Sequence, residues 1–406
     1  MRLTGPSALS RRWFLIACPV GCFAQKAAPQ TAGSQTTVSQ ATVGRILPSA
    51  VLRYLDPLTE FLVARLTDPS VTSRLPAYYA RAISRRSGFL LYTSDLTGRW
   101  EAFQMDLRNG QSKQLTDAQN LEPASLTLLA DDRGFCYLDG GKLVTVNLAT
   151  LRTREVYRVP EGYQPVPGCS ISDDGLYAVL IEKTVEEIGA DKGPQSRLRL
   201  VRMTNGSTGD LALCGGEPGG EASDALHDPL VRPRHQSVLY RCGGGVWIVN
   251  FDGQQKRELH LADGETGPAM WSPDGRSILY LNYPADHQKL HNLRGFNPDS
   301  NVDNMIANTS QFVAFGYNAD ASVFVGASGG KGSPHVLLLV RSVKREFTLA
   351  EHRASDPAMV SPIFTPNSQR ILFASDRDGK PAIYMMSVEK LVERTTDGEE
   401  TGAASP

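Results

Sequence analysis

Seven histidines and six cysteines in 406 residues set the first chemical possibilities. The histidines are His227, His235, His260, His287, His291, His335 and His352. His287 and His291 stand four apart, a spacing that on a helix would put two imidazoles on one zinc-binding face. Tyr283-Pro-Ala-Asp and Asn297-Pro298 around them read as loop, where that spacing carries no geometry. Beyond Cys18 and Cys22, the cysteines are Cys136, Cys169, Cys214 and Cys242. They form no Cys-x-x-Cys pair and have no zinc-type spacing. They read either as buried thiols or as a disulfide whose pairing the sequence leaves open. Gly326-Ala-Ser-Gly-Gly330 matches the pattern of a nucleophile elbow, but such an elbow needs a helix after its serine. Another apolar strand, Val336 to Val340, follows instead, so Ser328 reads as part of a hairpin. Asp376-Arg-Asp-Gly379 resembles the opening of a calcium loop, lacks the later ligands, and reads as a β-turn.

The elements that must position these residues come from the repeats. Trp271-Ser-Pro-Asp-Gly-Arg-Ser-Ile-Leu-Tyr280 is a tight turn followed by an apolar strand. Phe364-Thr-Pro-Asn-Ser-Gln-Arg-Ile-Leu-Phe373, Ile171-Ser-Asp-Asp-Gly-Leu-Tyr-Ala-Val-Leu180 and Ala130-Asp-Asp-Arg-Gly-Phe-Cys-Tyr137 repeat it. Weaker copies lie at Arg85–Tyr92, Arg232–Tyr240 and Tyr317–Phe324. The turns centre near residues 86, 132, 174, 235, 274, 320 and 367, mostly about 40 to 47 residues apart, the length of one four-stranded propeller blade. Asp-Gly and Asn-Ser tolerate or bond the left-handed backbone that a tight turn needs. Each blade has apolar faces that only its neighbours can cover. The fold class is therefore all-β, a seven-bladed β-propeller of four-stranded antiparallel blades. Glu60–Thr67 precedes the first full blade and is expected to add a strand to the last one, closing the ring.

A net charge of −1 offers no basic face for nucleic acid or for an anionic membrane surface. Ser10-Arg-Arg-Trp-Phe-Leu15 matches the twin-arginine export pattern, and the apolar stretch from Trp13 to Ala24 is too short to span a bilayer. Leu15-Ile-Ala-Cys18 also resembles a lipobox, with almost no apolar run before it. Residues 1–24 read as a signal peptide, which makes the protein periplasmic or extracellular. Residues 25–50 are rich in Gln, Thr, Ser and Ala and read as a disordered linker, and 394–406 read as a disordered tail. The propeller is expected over 51–393.

Residues spread over this body carry a family resemblance. Asp56-Pro-Leu-Thr-Glu60, Arg65-Leu-Thr-Asp-Pro69, Tyr92-Thr-Ser-Asp95, Gly98-Arg-Trp100 and Gln114-Leu-Thr-Asp117 open it. Glu351-His-Arg353, Pro362-Ile-Phe-Thr-Pro366 and Phe373-Ala-Ser-Asp-Arg-Asp-Gly-Lys-Pro-Ala-Ile-Tyr384 close it. In this order they resemble oligogalacturonate lyase, pectate lyase family 22; the repeat portions are shared with TolB-like propellers. The resemblance implies β-elimination on short galacturonate chains. A base removes the proton α to a uronate carboxylate, whose charge must be neutralised. It also implies manganese held by three His and a Gln, with a His as base and an Arg nearby.

The implied site is altered in this chain. The metal-ligand stretch falls on Asp356, Met359 and Ser361, and the remaining ligand falls near Pro268. The segment of the family's base reads Arg241-Cys-Gly-Gly-Gly245. No cofactor is therefore expected from these positions, although the family binds manganese. His227, Arg232, Arg234 and His352 are the candidates for a replacement site at the propeller mouth. The expected partner is an acidic oligosaccharide, with no nucleic acid and no membrane span. The alternative is a non-catalytic TolB-like propeller that binds a protein or carbohydrate partner.

Overall fold

The computed structural model describes residues 43–185, 195–215, 225–286, 288–330 and 332–393. The expected signal peptide, most of the expected linker, the expected tail and His287 lie outside them. The described chain forms seven antiparallel sheets of four or five strands. Each sheet meanders outward from an innermost strand, through a tight turn, to the strands beyond it. The fifth blade is representative: Glu265–Trp271, Ile278–Tyr283, Asn292–Asn297 and Val302–Asn308.

Seven clusters of buried side chains lie between consecutive blades. Leu91 and Ala102 of the first blade meet Leu126 and Phe135 of the second. Cys136 and Leu138 meet Ala178 and Leu180 of the third. The series continues around to the seventh blade, where Leu372 and Ile383 meet Leu90 and Phe103 of the first. A second strand such as Phe89–Ser94, buried along almost its whole length, is apolar on both faces because it has a neighbour on each side. Leu62–Arg65 closes the ring as expected, pairing with Ala382–Ser387 of the last blade with Val63 opposite Met386.

The N-terminal boundary differs from the expectation. Leu52–Leu55 adds a fifth strand to the last blade. Ile46–Leu47, inside the expected linker, adds a fifth strand to the first blade against Ser112–Gln114. Edge pairing needs backbone groups rather than apolar side chains, so polar composition did not mark it.

The turns repeat one hydrogen-bond pattern. In the fifth blade, Ser272 Oγ donates to Asp274 Oδ1 at 2.6 Å and accepts from Ser277 N at 2.9 Å. Gly275 takes φ +70°, and its N–H donates to Ser272 O at 2.9 Å. Ser172 and Thr365 play the serine's part in the third and seventh blades. In six of the seven turns the fourth residue is left-handed: Ser87, Asp132, Gly175, Gly275, Ala321 and Ser368. In the fourth blade the left-handed residue is one position earlier, Arg234 at φ +60°.

Candidate functional site

The ends of the innermost strands define two regions on the channel axis. At the turn end, residues from all seven blades line a cavity of about 710 Å³. Its walls include Ile83, Leu128, Ile171, Val231, Met270 and Phe364. The segment between Ser73–Arg74 and Ile83 leaves the first blade and puts Tyr78 and Tyr79 against this cavity. The two rings meet edge to face with centroids 5.0 Å apart.

The tyrosine hydroxyls approach residues from the opposite ends of the strands. Tyr78 Oη is buried and faces Asp228 and Ala269 without reaching hydrogen-bond geometry with either. Tyr79 Oη lies over Gly168, where an added Cβ would stand 2.1 Å from it. Gly168 is also left-handed at φ +102°, so both sterics and backbone call for glycine. Burial, reinforced by the Asp228 carboxylate, pushes both phenols well above the ordinary tyrosine range. Neither phenol is a base at neutral pH.

Charged groups gather where the innermost strand of the fourth blade begins. His227, with its side chain half exposed, has Nδ1 3.3 Å from Asp228 Oδ2. Arg241 lies opposite His227 in the neighbouring strand, with Nε 3.4 Å from the same carboxylate oxygen. Its guanidinium also donates to Thr266 O at 2.9 Å and to Gly267 O. Asp228 takes φ +52° within a β-bulge between His227 and Leu230, which turns its carboxylate toward both neighbours. Next to Arg241, the Cys214–Cys242 disulfide joins the last strand of the third blade to the second strand of the fourth. Cys136 and Cys169 are buried thiols.

The four candidates drawn from the sequence do not converge. His227 opens the strand His227–Val231 and Arg232 follows its last residue, roughly 16 Å away at the usual rise per residue. Arg232 is 5% exposed and ties two blades together. It grips Asp299 through both terminal nitrogens at 3.0 and 2.6 Å, donates Nε–H to Gly275 O at 2.7 Å, and stacks on Trp271. Arg234 is exposed on the rim of the turn-end cavity, its N–H donating to Asp173 Oδ2 at 3.1 Å. His352 is fully buried. Its Nε2–H donates to Ser328 O at 3.1 Å and its Nδ1 accepts from Ala354 N at 3.0 Å. Both ring nitrogens are thus used by backbone in the neutral form, and burial lowers the imidazole pKa. A replacement site made of all four is therefore corrected: only His227 stands in a charged cluster at the strand-start end. Asp228, Arg241, Tyr78 and Tyr79 join it; of these, sequence reasoning had touched only Arg241, in the segment that the resemblance aligns with the family's base.

The remaining motifs are structural. Ser328 is buried at the end of its strand, where its Oγ accepts from Gly330 N in the expected hairpin. Asp376-Arg-Asp-Gly379 closes a β-turn, Gly379 N donating to Asp376 O at 3.1 Å.

The positions onto which the resemblance carries the family's metal ligands also lie at strand starts. Asp356 caps a 3-10 turn, its carboxylate accepting from Ala358 N at 3.0 Å. Met359 is exposed, and Ser361 is left-handed at φ +41°. Pro268 sits in the bulge between Thr266 and Ala269 and has no side-chain donor atom. One carboxylate, one thioether, one hydroxyl and no imidazole do not fit manganese as a ligand set. Among the described residues, no group of three or more His, Cys, Asp or Glu could hold a metal ion.

The fold and this axial channel define the class: a seven-bladed β-propeller whose tyrosine-floored cavity lies beside a separate charged cluster. Comparison with known proteins narrows it. A family model described as oligogalacturonate lyase matches residues 41–193. An oligogalacturonide lyase of Pectobacterium atrosepticum is 24% identical over 389 residues, covering 85% of this chain and 98% of that protein. An oligogalacturonate lyase of Dickeya dadantii matches with the same identity and coverage. Among solved structures, an oligogalacturonate lyase in complex with manganese superposes with a TM-score of 0.77 at 24% identity, over 86% of this chain and 98% of that one. The Vibrio parahaemolyticus oligogalacturonate lyase gives 0.76 at 23% identity, over 86% and 99%. The chain is a seven-bladed β-propeller similar to these oligogalacturonate lyases over nearly all of their length.

Proposed function

We propose that this protein is an exported lyase that cleaves oligogalacturonides or a related acidic oligosaccharide by β-elimination, at the strand-start end and without the manganese bound in the similar solved structure. The observation that carries the reading is the His227–Asp228–Arg241 cluster. Asp228 engages Nδ1 of His227, which favours the tautomer whose Nε2 is an acceptor. Nε2 then takes the proton α to the uronate carboxylate. The electron pair forms the new carbon–carbon double bond as the neighbouring glycosidic C–O bond breaks, and water protonates the departing oxygen. Arg241, held by Asp228 and two backbone carbonyls, is a fixed positive charge beside His227 that offsets the developing enolate. The raised tyrosines argue against a phenolate base, and the ligand set at Asp356, Met359, Ser361 and Pro268 argues against manganese.

Ultraviolet absorbance of the unsaturated uronate product tests this reading with the full-length protein and oligogalacturonides. A rise that survives EDTA and disappears in His227→Asn is the expected result. A rise that requires manganese would overturn the metal-free reading. No rise with any acidic oligosaccharide, from folded protein, would favour a propeller that binds a partner without catalysis.

A further inference from the structure

His227, Asp228 and Arg241 all lie between Cys214 and Cys242, inside the span of 28 residues that the disulfide closes. The ladder of the fourth blade holds them unequally. Arg241 and Cys242 end their strand and are paired on the outer side with Val246 and Gly245. His227 and Asp228 open the innermost strand. Their one register pair is His227 with Arg241, and the next is Leu230 with Leu239, beyond the bulge. A bulge leaves ladder groups unpaired, so strand pairing alone fixes His227 against Arg241 poorly.

Both members of that pair are tied to the third blade instead. After Arg241, Cys242 is bonded to Cys214. Before His227, Leu226 N–H donates to Ser196 Oγ at 2.9 Å, and Ser196 Oγ–H donates to Cys214 O at 3.4 Å. Ser196 and Cys214 are register partners on adjacent strands. Cys214 and Leu226 are buried in one apolar cluster, against which Cys242 packs. The contacts close a loop from His227 through Leu226, Ser196, Cys214, Cys242 and Arg241, and Asp228 joins its two ends.

We infer that the Cys214–Cys242 disulfide is a positioning element of the candidate site. It sets His227 against Arg241, and its reduction disables the cluster while the propeller stays folded. For its effect on turnover this rests on the elimination proposed above; for its effect on geometry it rests on the contacts alone. The ring itself does not hang on this bond, because each of the seven blade boundaries has its own buried cluster. A base and a cation acting on one uronate must both be in place, and a displacement of about 1 Å can cost roughly 10²-fold in rate. The site is then complete only where disulfides persist, in keeping with the proposed export.

The test compares the full chain before and after treatment with tris(2-carboxyethyl)phosphine. The phosphine and one water become the phosphine oxide as the disulfide becomes two thiols; Cys136 and Cys169 are thiols already. With oligogalacturonides, kcat should fall at least about tenfold while KM changes less than about threefold, because Arg241 acts on charge that develops in the transition state. In NMR spectra the His227 imidazole signal, assigned with His227→Asn, should move on reduction, while those of His235 and His335 stay in place. Ser196→Ala keeps the disulfide and removes the tie to Leu226, and should move the same His227 signal in a protein that was never reduced. Unchanged kcat after reduction, an unmoved His227 signal in either experiment, or global unfolding on reduction by circular dichroism would overturn the inference. Oxidised protein that shows no turnover, yet whose His227 signal moves on reduction, would overturn the lyase reading and support the positioning role.

Discussion

The two ends of the channel are made in different ways. At the turn end the same motif recurs blade after blade, and most of its polar side chains are spent on their own backbone. Ser172, Asp174, Ser272, Asp274, Thr365 and Asn367 all bond within their turns. At the strand-start end the repeat is broken by the Tyr78–Tyr79 excursion, a 3-10 turn at Pro123–Ser125, another at Pro357–Val360, and bulges in the fourth, fifth and sixth blades. Here side chains reach other blades: Asp228 toward Tyr78 and Tyr79, and Arg241 toward Thr266 and Gly267. A repeated polar residue is thus mostly a part of the turn, while a polar residue at a break in the repeat is available for chemistry. Arg234 obeys this rule as well, since its turn is the one that departs from the pattern.

This contrast would break most visibly at His227. His227→Asn should reduce lyase turnover by about 10²–10⁴-fold, the usual range for loss of a general base. Its thermal midpoint should stay near that of the wild type, because the side chain is half exposed. Equal turnover would remove the strand-start cluster from catalysis. Next in size is Arg232→Ala, which should cost about 2 kcal/mol of stability through the lost Gly275 contact and the uncovered Trp271. It should leave kcat per folded molecule unchanged, as chemical denaturation and active-fraction assays can separate. A fall in kcat at unchanged stability would make Arg232 a functional residue of the turn end after all.

His352 sharpens the comparison through pH. Its folded pKa is lowered by burial, so below about pH 6.5 the unfolded chain binds more protons than the folded one. Its contribution to stability is complete above that pH and is lost as pH falls toward the folded pKa. Thermal melts at about pH 8 and pH 5 should therefore show a larger drop for the wild type than for His352→Asn. Equal drops would mean that the imidazole is not held neutral by its two backbone partners. Smallest of all should be Tyr78→Phe. Its hydroxyl is buried without a hydrogen bond, so removing it should change stability by less than about 1 kcal/mol. A large loss would show that the hydroxyl supports Asp228 and that the tyrosine floor belongs to the charged cluster.

The legibility of the two ends followed from their construction. The seven turns could be counted because Asp-Gly and its relatives recur at blade length, and Glu60–Thr67 could be placed because a ring with an unfilled edge needs a strand. The Ser328 and Asp376–Gly379 segments also read correctly as hairpin and turn from what followed them in the chain. The site was less legible. Arg232 and His352 looked like site residues because charge and imidazole chemistry are visible in a sequence, whereas burial is not. Asp228 drew no notice because its role comes from a bulge and a left-handed φ that no motif announces. Tyr78 and Tyr79 lie in a segment with no repeat signature at all.

What the amino-acid sequence determined alone was local and periodic: tight turns, strands buried on both faces, their number, and their order around a ring. Backbone preference and apolar patterning act within a few residues, so they are written along the chain. What only the tertiary structure decided was which distant side chains meet. Packing of the blades brought Tyr78 to Asp228 and Tyr79 to Gly168, joined Cys214 to Cys242, and set His227 at the start of a strand with Arg232 just past its end. Those encounters depend on the register and twist of seven packed sheets, and they set the charged cluster apart from the cavity.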